Sequence, residues 1–258
     1  MAAAPRNVNW GAFWMGPGEQ IGRGKEAEVR SFGADVIKLY PAGRGADAVA
    51  REALTLELAH RLGLPVPALR ETGVYTGRHG LVMERVNGPT MGAIMRDTPA
   101  GVPRLIGEMV DVQARLLACS GVGLPPLRAK LSRAFDAVFS DPVERAAWLA
   151  RLKALPDGHA LCHGDFHPFN LVRRQNSWIV LDWPDASAGP PAADLARTHL
   201  LLHLHDPDLG QLYVDTVTRG KIATGLQAWT PILAAARLAE GVPDQSATLR
   251  SLAGLTSR

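Results

Sequence analysis

The sequence predicts an α+β protein of two lobes, a small β-rich lobe over residues 1–86 and a larger, mostly helical lobe over residues 87–258. Three observations carry that expectation. Short alternating apolar runs such as Asp35-Val36-Ile37-Lys38-Leu39-Tyr40 crowd the first third of the chain. Longer segments with apolar residues at helical spacing fill the rest. No internal repeat or low-complexity linker separates the two, so the lobes are expected to form one interdependent unit.

Taken in order, residues 1 to about 17 read as a loosely ordered lead-in, where Gly and Pro punctuate a few aromatics. Ile21 to Arg30 reads as a glycine-bearing turn running into a strand, and residues 35–40 as its hairpin partner, carrying an inward Lys38. A helix follows over residues 46–62, with Val49, Leu54, Leu56, Leu58 and Leu62 on its apolar face and Gly63-Leu64-Pro65 closing it. Strands near 68–75 and over 81–86 flank a turn at residues 77–80, the second running into Asn87-Gly88-Pro89. Helices are expected over about 103–119, 128–139 and 142–155, and again over about 192–204, 209–219 and 231–239.

Between those two helical blocks lies the densest chemistry of the chain. His163-Gly164-Asp165 is followed by Asn170, and Asp182 then ends the apolar run Ile179-Val180-Leu181. Phosphoryl transfer from ATP asks for a carboxylate to orient the acceptor hydroxyl and for hard oxygen ligands to hold magnesium on the phosphates. Asp165, Asn170 and Asp182 supply such a set. A purely structural reading, a polar turn and an Asp that closes a strand, does not account for all of these groups arriving together and in this order. Upstream, Gly22 and Gly24 are placed to let backbone amides approach phosphate oxygens, and Lys38 to neutralise their charge. Such a lysine requires a carboxylate from the next helix, for which Glu52 and Glu57 are the candidates.

The His-Gly-Asp-x-x-x-x-Asn pattern with its later Asp resembles the catalytic and metal-binding loops of the aminoglycoside phosphotransferase and choline kinase family, which shares the protein-kinase-like fold. The resemblance runs from about Ile21 to about Leu202. It implies that Asp165 is the catalytic base and that Asn170 and Asp182 hold magnesium. By the same resemblance Glu52 is the partner of Lys38, and the backbone of Glu84 and Val86, beside Met83, reads the adenine edge. Asp194, in Gly189-Pro190-Pro191-Ala192-Ala193-Asp194, is expected to brace the catalytic loop as a carboxylate in the first turn of a helix. His163 is expected to brace it through its ring nitrogens. The implied cofactors are ATP and Mg2+, and the implied partner is a small-molecule hydroxyl acceptor.

Composition narrows the alternatives. Lys and Arg number 28 against 25 Asp and Glu, a net charge of +3 spread along the chain, which lacks the concentrated basic face that nucleic-acid binding needs. The excess of Arg over Lys, with many Ala, Gly and Pro, points to a GC-rich bacterial coding sequence. Cys119 and Cys162 are far apart and lack metal-ligand spacing, which suits a reducing cytoplasm. No apolar stretch has the length of a membrane span. His199 and His203 sit at i and i+4 but lack the Glu of a His-Glu-x-x-His metal helix, which favours packing over ligation.

The function expected is therefore ATP- and Mg-dependent transfer of the γ-phosphate to a small-molecule hydroxyl. An aminoglycoside and a non-antibiotic metabolite alcohol are the two acceptor classes, since the acidic residues of the C-terminal region are interspersed with Arg and Lys. A protein kinase is disfavoured by the missing Ala-Pro-Glu segment, and a nucleotide-binding pseudokinase by the intact acidic and amide groups.

Overall fold

The computed structural model describes residues 17–23, 27–43, 45–220 and 225–255. The chain divides into two compact units, with the boundary between Asn87 and Gly88.

The first unit is an antiparallel sheet with one helix. Its strands are β1 (Gln20–Arg23), β2 (Glu28–Phe32), β3 (Asp35–Leu39), β4 (Leu69–Tyr75) and β5 (Arg78–Met83), in the spatial order β1-β2-β3-β5-β4. Helix α1 (Ala46–Arg61) connects β3 to β4. The alternation of β3 decides what lies on each face: Ile37 and Leu39 join Phe32 and Val82 in one apolar cluster, so Lys38 must point the other way. Tyr75 turns into Arg78 through Thr76 (φ 49°) and Gly77 (φ 77°), the two consecutive left-handed residues that a two-residue hairpin turn of matching twist requires. This tight turn starts β5 three residues earlier than the expected strand, and the strand ends at Met83, so Glu84 and Val86 lie beyond it.

The second unit is mainly helical. Its first helices are α2 (Met91–Asp97), α3 (Val102–Leu117), α4 (Leu127–Val138) and α5 (Pro142–Ala154). Short strands β6 (Ala160–Cys162), β7 (Leu171–Arg174), β8 (Ser177–Val180) and β9 (Ser187–Gly189) follow, then α6 (Pro191–His205), α7 (Pro207–Arg219), α8 (Leu226–Arg237) and α9 (Ser246–Ala253). Strand β6 pairs with β9 and β7 with β8, both antiparallel. The core of α3 comes from Leu105, Ile106, Met109 and Leu116, all fully buried, each contributing roughly 1.5–3 kcal/mol of hydrophobic stabilisation. Phe135, Phe139 and Trp148 lock α4 against α5, the last two rings stacked with centroids 5.4 Å apart.

Two expectations are corrected here. Helix α8 begins at Leu226, ahead of the expected start at Pro231, and contains that proline. The buried face of Trp229, Ile232, Leu233 and Ala236 outweighs the one backbone bond that the proline forgoes. Helices α2 and α9 were not expected at all; they are 7 and 8 residues long, too short for the apolar period to register.

Candidate active site

The expected site residues fall in both units. In the first, Lys38 lies mid-sheet on β3, between Val29 of β2 and Leu81 of β5, and is 7% exposed. Its Nζ donates to Glu52 Oε1 at 2.9 Å, and the Tyr40 hydroxyl donates to Glu52 Oε2 at 2.6 Å. Glu52 is 1% exposed, whereas Glu57 points to solvent, so the helix presents one of its two candidate carboxylates to the sheet. A buried ion pair is weak support for stability, because desolvation offsets its attraction. A lysine held in this way is instead a preformed cation with its direction fixed.

Gly22 departs from expectation. It lies within β1, paired with Val29, and a Cβ there would meet only ordinary van der Waals contact, so neither turn geometry nor close packing requires glycine. Gly24 and the N-terminal lead-in lie outside the described residues. Glu84 follows β5, its N–H donating to the Ala68 carbonyl and its carboxylate accepting from the Ala68 N–H at 3.2 Å; Val86 is half-buried.

In the second unit, β6 delivers the chain into the loop at His163. Its ring is fully buried, 4.5 Å from Trp183 and 5.7 Å from Phe166 between centroids. The Asp165 N–H donates to His163 Nδ1 at 3.2 Å, which assigns the proton to Nε2, and that nitrogen donates to the Leu181 carbonyl at 3.0 Å. One neutral imidazole thus ties Asp165 to the segment entering Asp182. Burial holds the ring's pKa below its ordinary value, overcoming the charges of Asp194, Asp165 and Asp182, all of which bear on it.

Pro168–Asn170 form a single 3-10 turn, and the β7–β8 hairpin returns the chain so that the Leu181 N–H donates to the Asn170 carbonyl at 2.8 Å. Asn170, five residues from Asp165, is thereby brought against it, and its carbonyl is held by the residue before Asp182. Its side-chain Nδ2 donates to the Asp165 backbone carbonyl at 2.9 Å, which directs the amide oxygen, a hard donor, away from that bond. Asp182 has φ 64°. Two other described residues besides glycine share that region, Thr76 and Gln175, and both occupy hairpin turns; Asp182 follows β8 where no hairpin asks for it. Left-handed backbone of this kind costs about 1 kcal/mol or more and concentrates at functional positions.

The donor set fits magnesium, which takes one or two carboxylates and keeps water and phosphate for its other positions. Asn170 and Asp182 would hold it. Among the described residues no group of three or more His, Cys, Asp or Glu forms a cation cage, and Cys119 and Cys162 are free thiols.

Asp165 itself is shaped by competing forces. Burial pushes its carboxyl up, but the hydrogen bond from His167, with the charge of Arg197, outweighs it and holds the carboxyl well below the usual carboxylate range. His167 Nε2 lies 3.4 Å from Asp165 Oδ2, and its Nδ1 accepts the Phe169 N–H at 3.2 Å. The chain therefore presents an ionised carboxylate in a partly buried setting.

Asp194 does not cap its own helix, whose first turn has no side-chain cap. Its Oδ1 accepts the Gly164 N–H at 2.8 Å and its Oδ2 accepts Gln113 Nε2 at 2.9 Å. Gln113 also donates to Thr198 and accepts from the Tyr213 hydroxyl at 2.6 Å, so a buried polar network joins α3, α6 and α7 to the loop. Sequence reasoning missed Gln113, Tyr213, His167, Arg197 and the Lys130–Asp185 ion pair. Gln113 left a signal, a lone amide within the apolar stripe of α3. His199 and His203 stack at 5.7 Å between centroids on α6.

The family described as the phosphotransferase enzyme family matches residues 18–234. Among solved structures, an aminoglycoside-3'-phosphotransferase of type VIII is similar at 22% identity and a TM-score of 0.63, covering 86% of this chain and 90% of that one. The aminoglycoside phosphotransferase APH(4)-Ia is similar at 17% identity and a TM-score of 0.64, covering 91% and 89%. A choline/ethanolamine kinase family protein from Mesorhizobium loti is similar at 18% identity and a TM-score of 0.64, covering 96% and 87%. No curated protein sequence matches the chain. At these identities the likeness establishes the protein-kinase-like fold.

Proposed function

Because the chain belongs to the phosphotransferase enzyme family, we propose that it transfers the γ-phosphate of ATP to a hydroxyl of a small molecule, with magnesium and with Asp165 as base. The observation that carries the reading is the geometry of the Asp165 loop. An ionised carboxylate, an amide oxygen and a second carboxylate on strained backbone are tied together through His163 and Asn170. Relatives of the same fold have been solved with AMP-PNP and hygromycin B, and with ATP and streptomycin, which supports a nucleotide and a hydroxyl-bearing acceptor.

Phosphoryl transfer is mostly positioning and charge stabilisation. Asp165 would accept the hydrogen bond of the acceptor hydroxyl and take its proton as the oxygen bonds to the γ-phosphorus and the bond from that phosphorus to the β–γ bridging oxygen breaks, releasing ADP. Asn170 and Asp182 would hold magnesium, which supplies positive charge to the phosphate oxygens. Lys38, aimed by Glu52, would add a fixed positive charge to the phosphates, and the backbone of Glu84 and Val86 would meet the adenine; Gly22 and Gly24 would contribute backbone near the phosphates.

Of the two acceptor classes, a metabolite alcohol has the better support over a polycationic aminoglycoside. Polyammonium recognition needs carboxylates to spare. Glu240 is bonded to both Arg197 and Arg237, and Asp185 to Lys130. The cytoplasm is the compartment proposed, and no described helix is long and apolar enough to cross a membrane.

The test is magnesium-dependent ATP consumption against polyammonium, neutral and acidic hydroxyl compounds, with Asp165→Asn as the blank. Turnover with one class, reduced by about 100- to 10,000-fold in the variant while nucleotide affinity is kept, is the expected outcome. Equal ATP consumption by both proteins under every condition would overturn it.

A further inference from the structure

Gly164, the residue before Asp165, has both backbone polar groups held by one turn of α6. Its N–H donates to Asp194, and its carbonyl accepts from Arg197 Nε at 3.0 Å. Asp194 and Arg197 are i and i+3, so they share a helix face. The glycine has φ 81°, and a Cβ on it would lie 2.5 Å from the Asp185 carbonyl oxygen. Glycine is therefore demanded twice over here, and two side chains retain the conformation it permits.

Arg197 is held in turn from the C-terminal end of the chain. Its Nη2 donates to Glu240 Oε1 at 2.7 Å, while Glu240 Oε2 accepts from Arg237 Nη1 at 2.9 Å. Arg237 Nε donates to Gln245 Oε1 at 2.9 Å. The two guanidinium side chains are only 12% and 10% exposed. Glu240 belongs to the single 3-10 turn Leu238–Glu240 that follows α8, remote in sequence from the motif. Both Asp165 and Asp185 feel the charge of Arg197, so an untethered guanidinium has two carboxylates to collapse onto. A direct ion pair with Asp165 would occupy the oxygens that must accept the substrate proton.

We propose that Arg197 is a positioning residue for the Asp165 loop, and that Glu240 is the strut that keeps its guanidinium on the Gly164 carbonyl and off the Asp165 carboxylate. The turn after α8 thereby sets the geometry of a loop some seventy residues away in sequence, as the ranges Leu238–Glu240 and Pro168–Asn170 make plain. The consequence for catalysis rests on the reading of Asp165 as base.

The experiment compares the intact wild-type protein with Arg197→Gln, Arg197→Lys and Glu240→Gln, with Asp165→Asn as the blank. The readouts are magnesium-dependent ATP consumption, KM for ATP, and amide hydrogen exchange at Gly164 and Asp165. Arg197→Gln should lower kcat by about 10- to 100-fold, the scale of a misplaced catalytic group, with KM for ATP within about twofold. Exchange at Gly164 and Asp165 should quicken in the same variant. Arg197→Lys should recover part of kcat, because an ammonium can still donate to the Gly164 carbonyl, and Glu240→Gln should fall between the two. A kcat within about twofold of wild type in Arg197→Gln, or unchanged exchange at both amides, would overturn the proposal. Equal ATP consumption by wild type and Asp165→Asn would instead remove the phosphotransfer reading, and hydrogen exchange would still decide whether Arg197 holds the loop.

Discussion

Asp165 illustrates how one carboxyl can be partly buried and still fully charged. Burial alone would raise its pKa; the His167 hydrogen bond and the Arg197 charge bring it below the ordinary value. A folded-state pKa below the unfolded one means that ionisation favours the native chain. That contribution is complete above the unfolded value, about 4, and is lost as pH falls through the lower folded value. The expected pH profile of kcat/KM therefore shows no acid limb from this group above about pH 4. Removing the His167 contribution by His167→Ala leaves burial less opposed, so an acid limb should move upward into the measured range. A profile of the variant that superimposes on wild type would show that His167 does not bear on the base.

Among the elements, the sheet and helix of the first unit cooperate at one ion pair. Lys38→Met would leave Glu52 buried with Tyr40 as its remaining recorded donor, and stranding a buried charge costs about 3–5 kcal/mol. Denaturant unfolding should register that loss, and KM for ATP should rise as the phosphate charge goes unanswered. In the second unit, Gln113→Leu removes the amide that donates to Asp194 and Thr198 and accepts from Tyr213. Each stranded buried group costs about 1–3 kcal/mol, so urea unfolding should show a drop of at least that size. Calorimetry that finds Gln113→Leu as stable as wild type would mean that the network relaxes onto other partners. The strands and long helices were legible because period-2 and period-3.6 patterns are local. The early start of α8 was not, because the packing that holds Pro231 mid-helix involves partners far away in sequence.

At the scale of the whole chain, ligand binding should register as a gain in stability. A nucleotide that binds only the native state raises stability by about 2.7 kcal/mol at a hundredfold excess over its dissociation constant. The thermal midpoint is thus expected to rise with ATP and magnesium, and chelation of the magnesium should remove most of the rise while leaving the ligand-free midpoint unchanged. An equal midpoint with and without the chelator would argue that Asn170 and Asp182 hold no metal. The modest net charge of +3 leaves charge recognition to local arrangement, and that arrangement pairs Asp185 and Glu240 with cations.

Asp165, Asn170 and Asp182 could be read from the chain because they stand within twenty residues of one another, in an order that one loop and one hairpin suffice to assemble. Spacing alone left Glu52 and Glu57 as equal candidates and the family resemblance chose Glu52; α1 laid on the sheet buries Glu52 against Lys38 and leaves Glu57 exposed. Gln113, Arg197 and Glu240 acquired their roles through contacts between α3, α6, the turn after α8 and the loop. Local spacing records what neighbouring residues can do for one another. Bonds that close over long separations leave no spacing to read, and packing alone selects their partners.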